Sequence, residues 1–135
     1  MVRQPGTPSP INTDAETAFK QACDLEAEGA LPAAITHYKK AITLGPDDAR
    51  FWIAFGRCLS GLRHWDEAIT ALTRGIALKP YYCEADARLM LAEALCGAGR
   101  IRDARKQWHI VSRMQPEYPS YELPMQEARK RLAGA

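Results

Sequence analysis

No pairing of cysteines, no long apolar run and no strong charge of either sign marks this chain of 135 residues. Its four cysteines, Cys23, Cys58, Cys83 and Cys96, include no C-x-x-C pair, and His37, His64 and His109 form no H-E-x-x-H set. Metal ligation therefore has no basis in the sequence. No apolar stretch approaches the roughly 18 residues a membrane-spanning helix needs, and the opening MVRQPGTPSP has no apolar centre of the kind a secretory leader carries. A formal charge of only +2 offers no basic stripe for nucleic acid. The only G-x-G, Gly97-Ala98-Gly99, follows no strand pattern, so it reads as a helix stop and not as a phosphate cradle. Glu84, Asp86 and Glu93 lie near one another in sequence but have no base or nucleophile with them. The expectation is a protein that is not an enzyme, uses no cofactor or metal, and binds neither nucleic acid nor membrane. Cys23, Cys58 and Cys96 fall within predicted helices, where a free thiol acts as a small buried hydrophobe, and this points to a cytoplasmic, reducing setting.

What is present is repetition. Ala34, Ala41 and Pro46 stand 34 residues before Ala68, Gly75 and Pro80, and Ala104, Val111 and Pro116 stand 36 residues after them. A further small residue precedes each alanine by 12 positions, at Ala22, Gly56 and Ala92. A hydrophobic share of 47% is enough for a packed core, and apolar residues at helical spacing run between the breaks. Thr13-Asp14-Ala15-Glu16 has the pattern of a capping box ahead of a helix that ends near Gly29. Pro32 opens the next helix, Asp47 or Asp48 can cap the third, and Trp65 starts the fourth. The third copy runs two residues late, with the surplus in Tyr81-Tyr82-Cys83-Glu84, to be absorbed by a longer turn or an extra turn of helix five. Beyond Pro124, Met125, Ala128 and Leu132 make one narrow apolar stripe, which fits a seventh helix closing the array.

Trp52, Gly56, Ala68, a large residue at Leu72 and the terminal Pro80 at this period resemble the tetratricopeptide repeat family. The resemblance implies an all-α fold, an α-solenoid of three helix-turn-helix hairpins wound as a right-handed superhelix, with a capping helix. The expected divisions are a flexible arm at residues 1–11, repeats within 12–118 (about 15–48, 49–82 and 85–118), and the cap at 119–135. Ala22 with Ala34, Gly56 with Ala68, and Ala92 with Ala104 are the expected close helix crossings, and Tyr38, Leu72 and Trp108 the core fillers between hairpins.

By the same resemblance, the first helix of each pair lines a concave side that binds a protein or peptide partner. The inward-facing residues are then Glu16, Phe19, Lys20 and Cys23, then Arg50, Ile53, Ala54 and Arg57, then Asp86, Leu89, Met90 and Glu93. Phe19, Ile53, Leu89 and Met90 would form an apolar floor, and Arg50 and Arg57 could hold a carboxylate. The competing arrangement pairs Arg57 with Glu93 across the groove. Relatives that hold the C-terminal carboxylate of heat-shock chaperones use a Lys-Asn-Asn-Lys-Arg clamp, and the matching positions here are Phe19, Cys23, Ala54, Asp86 and Met90. None agrees, so that type of co-chaperone is excluded. The repeat number also resembles the chaperones of bacterial type III secretion translocators, without a specific motif. The implied function is an adaptor or scaffold for protein-protein interaction, or alternatively a chaperone-like carrier of a secreted or assembly substrate, or a self-associating structural scaffold. Acidic residues near the first helix and basic residues near the last permit weak head-to-tail self-association.

Overall fold

The structure is a computed structural model that describes residues 13–115 and 119–134. Among these there are seven α-helices and no strand: α1 (Thr13–Ala27), α2 (Leu31–Leu44), α3 (Ala49–Gly61), α4 (Trp65–Ala77), α5 (Glu84–Gly97), α6 (Ile101–Ser112) and α7 (Glu122–Gly134), with a single 3₁₀ turn at Pro119–Tyr121 before α7. The expected arm at 1–11 lies outside the described residues. Consecutive helices pack as hairpins, α1 on α2, α3 on α4 and α5 on α6, and the hairpins stack through α2 on α3 and α4 on α5. The chain is an all-α solenoid of three such hairpins, closed by α7 against α6 and α5.

One local device makes each hairpin turn. At the ends of α1, α3 and α5 the residues Gly29, Arg63 and Gly99 take left-handed φ values of 81°, 60° and 79°. The next amide then reaches back to an earlier carbonyl: Ala30 to Leu25 at 2.9 Å, His64 to Leu59 at 2.9 Å, and Arg100 to Leu95 at 2.8 Å. These are Schellman caps, which satisfy carbonyls that a helix end leaves without partners. Leu25, Leu59 and Leu95 keep the sequence period, so the turn repeats as faithfully as the core. Pro32 sits in the first turn of α2, and Asp48 caps α3 by accepting from the Arg50 amide at 3.0 Å. α1 begins at Thr13, where the sequence pattern starts it. The late third copy is explained by the turn: residues 78–83 separate α4 from α5, against 45–48 between α2 and α3, which is two residues more.

The small residues lie at the crossings. Ala22, Ala34, Ala68, Ala92 and Ala104 are fully buried. A Cβ on Gly56 would stand 2.5 Å from Leu72 Cγ and 3.3 Å from the Ala68 carbonyl oxygen, so hydrogen is the only side chain α3 can present to α4 there. Tyr38 and Leu72 are wholly enclosed and Trp108 is 7% exposed, as core fillers should be. The stripe on α7 also packs as its spacing requires, burying Met125 and Ala128 with Leu132 partly covered, and Pro124 joins them. Tyr121 anchors the approach to α7 by donating its hydroxyl to the Tyr81 carbonyl, and Ser120 donates to the Tyr82 carbonyl at 3.2 Å.

Candidate partner-binding face

The first helices, α1, α3 and α5, form one row, α1 joined to α3 through side chains, and α7 extends it beyond α5. Phe19, Lys20 and Cys23 on α1, Arg50 and Arg57 on α3, and Asp86, Leu89, Met90 and Glu93 on α5 all keep some exposure. Ile53 and Ala54 do not. Ile53 is 7% exposed and Ala54 4%, because α3 is the inner helix of the stack and buries two faces. Ile53 closes on α4, where its Cγ1 lies 2.8 Å from where a Cβ on Gly75 would be, and Ala54 packs with Ala22, Ala34 and Tyr38. The apolar floor therefore loses its middle part.

The two arginines of α3 are also committed within the chain. Arg57 makes a two-point contact with Glu26 of α1, Nε to Oε2 at 3.0 Å and Nη2 to Oε1 at 2.8 Å, and so does not pair with Glu93. Tyr38 of α2 donates to the same Glu26 carboxylate at 2.5 Å, and its hydroxyl lies 3.6 Å from Cys23 Sγ. One carboxylate thus joins three helices. Burial pushes the Glu26 carboxyl up, but the hydrogen bonds from Arg57 and Tyr38 outweigh it and hold the group below the ordinary glutamate value. Burial and the same carboxylate push the Tyr38 phenol up. Arg50 pairs with Glu16 of α1 and with Asp48 at 2.7 Å, and its guanidinium lies 5.4 Å from the centre of the Phe19 ring and 5.3 Å from that of Phe51. Phe19 is held between these groups, its ring 5.0 Å from Phe51 and 6.0 Å from Tyr38. The α1–α3 part of the face is thereby a closed seam of ion pairs and rings.

The open part lies between α5 and α7. A recess of about 330 Å³ has Leu89, Met90 and the edge of Trp108 for its apolar walls and Asp86, Glu93, Glu127 and Arg131 at its rim. Burial pushes the Asp86 carboxyl above the ordinary aspartate value. Glu127 and Arg131 pair with each other at 2.9 Å. Cys96 also lines the recess, its thiol pushed up chiefly by burial. Glu127 and Arg131 escape a reading of the sequence alone, where α7 shows only an apolar stripe and not the polar edge that stripe turns toward α5. A smaller recess between α3 and α5 is bordered by Ser60, Met90, Glu93 and the committed Arg57. Among the described residues no group of three or more His, Cys, Asp or Glu is placed to hold a metal ion, and no helix is long and apolar enough to cross a membrane.

Residues 25–81 match the Tetratricopeptide repeat family. No curated protein matches the chain by sequence. Solved structures match it over nearly its whole length. The Yersinia enterocolitica type III secretion chaperone SycD, in complex with a peptide of the translocator YopD, is 18% identical with a TM-score of 0.79, over 88% of this chain and 89% of that one. PcrH in complex with the chaperone binding region of PopD is 17% identical with a TM-score of 0.83, over 93% of each chain. The first TPR of Spaghetti (RPAP3), bound to the HSP90 peptide SRMEEVD, is 16% identical with a TM-score of 0.73, over 90% of this chain and 95% of that one. At these identities the likeness is one of fold.

Proposed function

We propose, from the premise that the chain is a tetratricopeptide repeat protein, that it is a non-catalytic protein-interaction module which holds a peptide or helical segment of a partner on its row of first helices. The observation that carries the reading is the open recess between α5 and α7, where Leu89 and Met90 stay partly exposed on a face whose α1–α3 part is sealed by its own ion pairs. An apolar recess with a few polar groups at its rim is the usual form of a ligand site. Support also comes from the three solved relatives, each of which holds a peptide or a partner's segment. The four cysteines are free thiols, which suits a reducing, cytoplasmic setting.

A displayed random-peptide library selected on the immobilised protein tests this, with Met90→Asp as the counter-target and circular dichroism to establish that the variant is folded. Enriched peptides should bind the wild type and lose most of their affinity for the variant. Peptides that bind both equally would move the site away from this face. The translocator chaperones favour a second form of the same reading, a carrier that keeps a secreted or assembly substrate soluble. A carrier's partner should precipitate when produced alone and stay soluble when produced with this chain, whereas an adaptor's partner should be soluble either way.

A further inference from the structure

Building on that reading of the face, we propose that the recess between α5 and α7 selects a basic peptide segment, with an apolar side chain seated on Leu89, Met90 and Trp108 and an adjacent lysine or arginine facing Asp86 and Glu93. The charge balance of the face decides the partner's sign. The arginines that could have received an acidic ligand are already paired, Arg57 by Glu26, Arg50 by Glu16 and Asp48, and Arg131 by Glu127, while the exposed Lys20 stands on α1 and is not among the residues that line the recess. Asp86 and Glu93, by contrast, take part in no ion pair among the described residues. Lys130 borders the adjoining outer recess but pairs with neither of them.

The two carboxylates differ in their surroundings. Glu93 is exposed, while Asp86 is half-buried and held above its ordinary pKa by loss of water alone. A desolvated carboxylate without a cation gains from any positive group brought beside it, and an acidic peptide would meet repulsion from both. The volume of about 330 Å³ lies at the small end of ligand pockets, room for one anchored side chain and the base of its neighbour. This suits a short basic and apolar stretch of a partner better than a whole folded surface.

The test uses the full chain and three short fluorescent peptides that share one Leu-Met anchor, flanked by lysines, by serines or by glutamates. At low salt the lysine peptide should bind about tenfold more tightly than the glutamate peptide, with the serine peptide between them. Its advantage should shrink as salt screens the pair. Glu93→Lys, at an exposed position with no ion pair among the described residues, should erase or invert the order, and Asp86→Asn should halve the distance between the two extremes. An order unchanged in both variants, or tighter binding of the glutamate peptide to wild type, overturns the basic partner. Equal binding of the lysine and serine peptides, both weakened in the uncharged variant Met90→Ser, keeps the recess as a docking site and overturns the charge selection. Peptides that bind wild type and the uncharged variant Met90→Ser alike, or bind neither, overturn both proposals together.

Discussion

Glu26 receives a guanidinium from α3 and a phenol from α2, so the first test at the level of single residues is electrostatic. Surface ion pairs contribute about 0–1 kcal/mol, but a two-point arginine contact sharing a half-buried carboxylate should exceed that. Arg57→Glu, which sets two carboxylates against each other, should cost about 1–2 kcal/mol in urea unfolding and loosen α1. The pH dependence has a definite sign. The Glu26 carboxyl is lowered from 4.5 in the fold, so its contribution is complete above that value and disappears as pH falls through the lower, folded value. The stability gap between wild type and Glu26→Gln should therefore be largest at neutral pH and shrink on acidification; a gap that widens in acid would contradict the assignment. Asp86 has the opposite sign. Burial raises its folded value, so the neutral form's advantage is lost as pH rises, and Asp86→Asn should melt slightly higher than wild type at neutral pH. None of this could be read from the sequence. Residues 26 and 57 lie on different repeats, and only the stacking of α1 beside α3 makes them neighbours.

For the helices themselves, repetition made nearly everything legible except which way α3 faces. Ala22, Gly56 and Ala92 mark crossings because backbone approach requires small side chains at a fixed distance from the turn, and period alone locates them. The face of α3 is harder to assign, since Phe51, Ile53, Ala54, Cys58 and Leu59 are all buried and leave no single apolar stripe. An inner helix with neighbours on two sides buries residues well beyond one apolar stripe, so Arg50 and Arg57 mark its narrow open edge while Ile53 and Ala54 beside them fall to the core. Two substitutions probe the element design in opposite directions. Gly56→Ala should destabilise by about 1–3 kcal/mol, since its methyl would meet Leu72 and the Ala68 backbone, and Gly56→Leu should abolish the cooperative melt. Arg63→Gly should raise the melting temperature, because the middle Schellman cap holds a side chain at φ 60° where the other two caps have glycine, a strain of about 1 kcal/mol. Unchanged melting in Gly56→Ala would remove the close crossing, and a lower melting temperature in Arg63→Gly would show the arginine contributing something its backbone angle conceals.

Across the whole molecule the two ends remain opposite in charge, though less so than the sequence suggests. Glu16 and Glu26 are neutralised by α3, while Asp14, Asp24 and Glu28 at the α1 end form no ion pair among the described residues, and all three are exposed. At the other end Arg100 and Lys106 share Asp103, and Arg131 takes Glu127, while Arg102, Arg105, Arg113, Arg129 and Lys130 form no ion pair among the described residues. Complementary ends of a solenoid allow a head-to-tail contact that grows openly unless its rotation closes a ring. Exposed charges of this kind attract over about one Debye length, roughly 30 Å at 0.01 M salt and 8 Å at 0.15 M. Since part of the acidic end is already spent inside the fold, association should be confined to low salt. Light scattering on tens of micromolar protein should give the mass of one chain near physiological ionic strength and a rising average mass as salt is removed. Lys substitutions at Asp14, Asp24 and Glu28 should hold the mass at one chain throughout. A mass above one chain that persists at high salt would mean that apolar contact, not charge, joins the copies, and would restore the self-associating scaffold as a rival to the binding module.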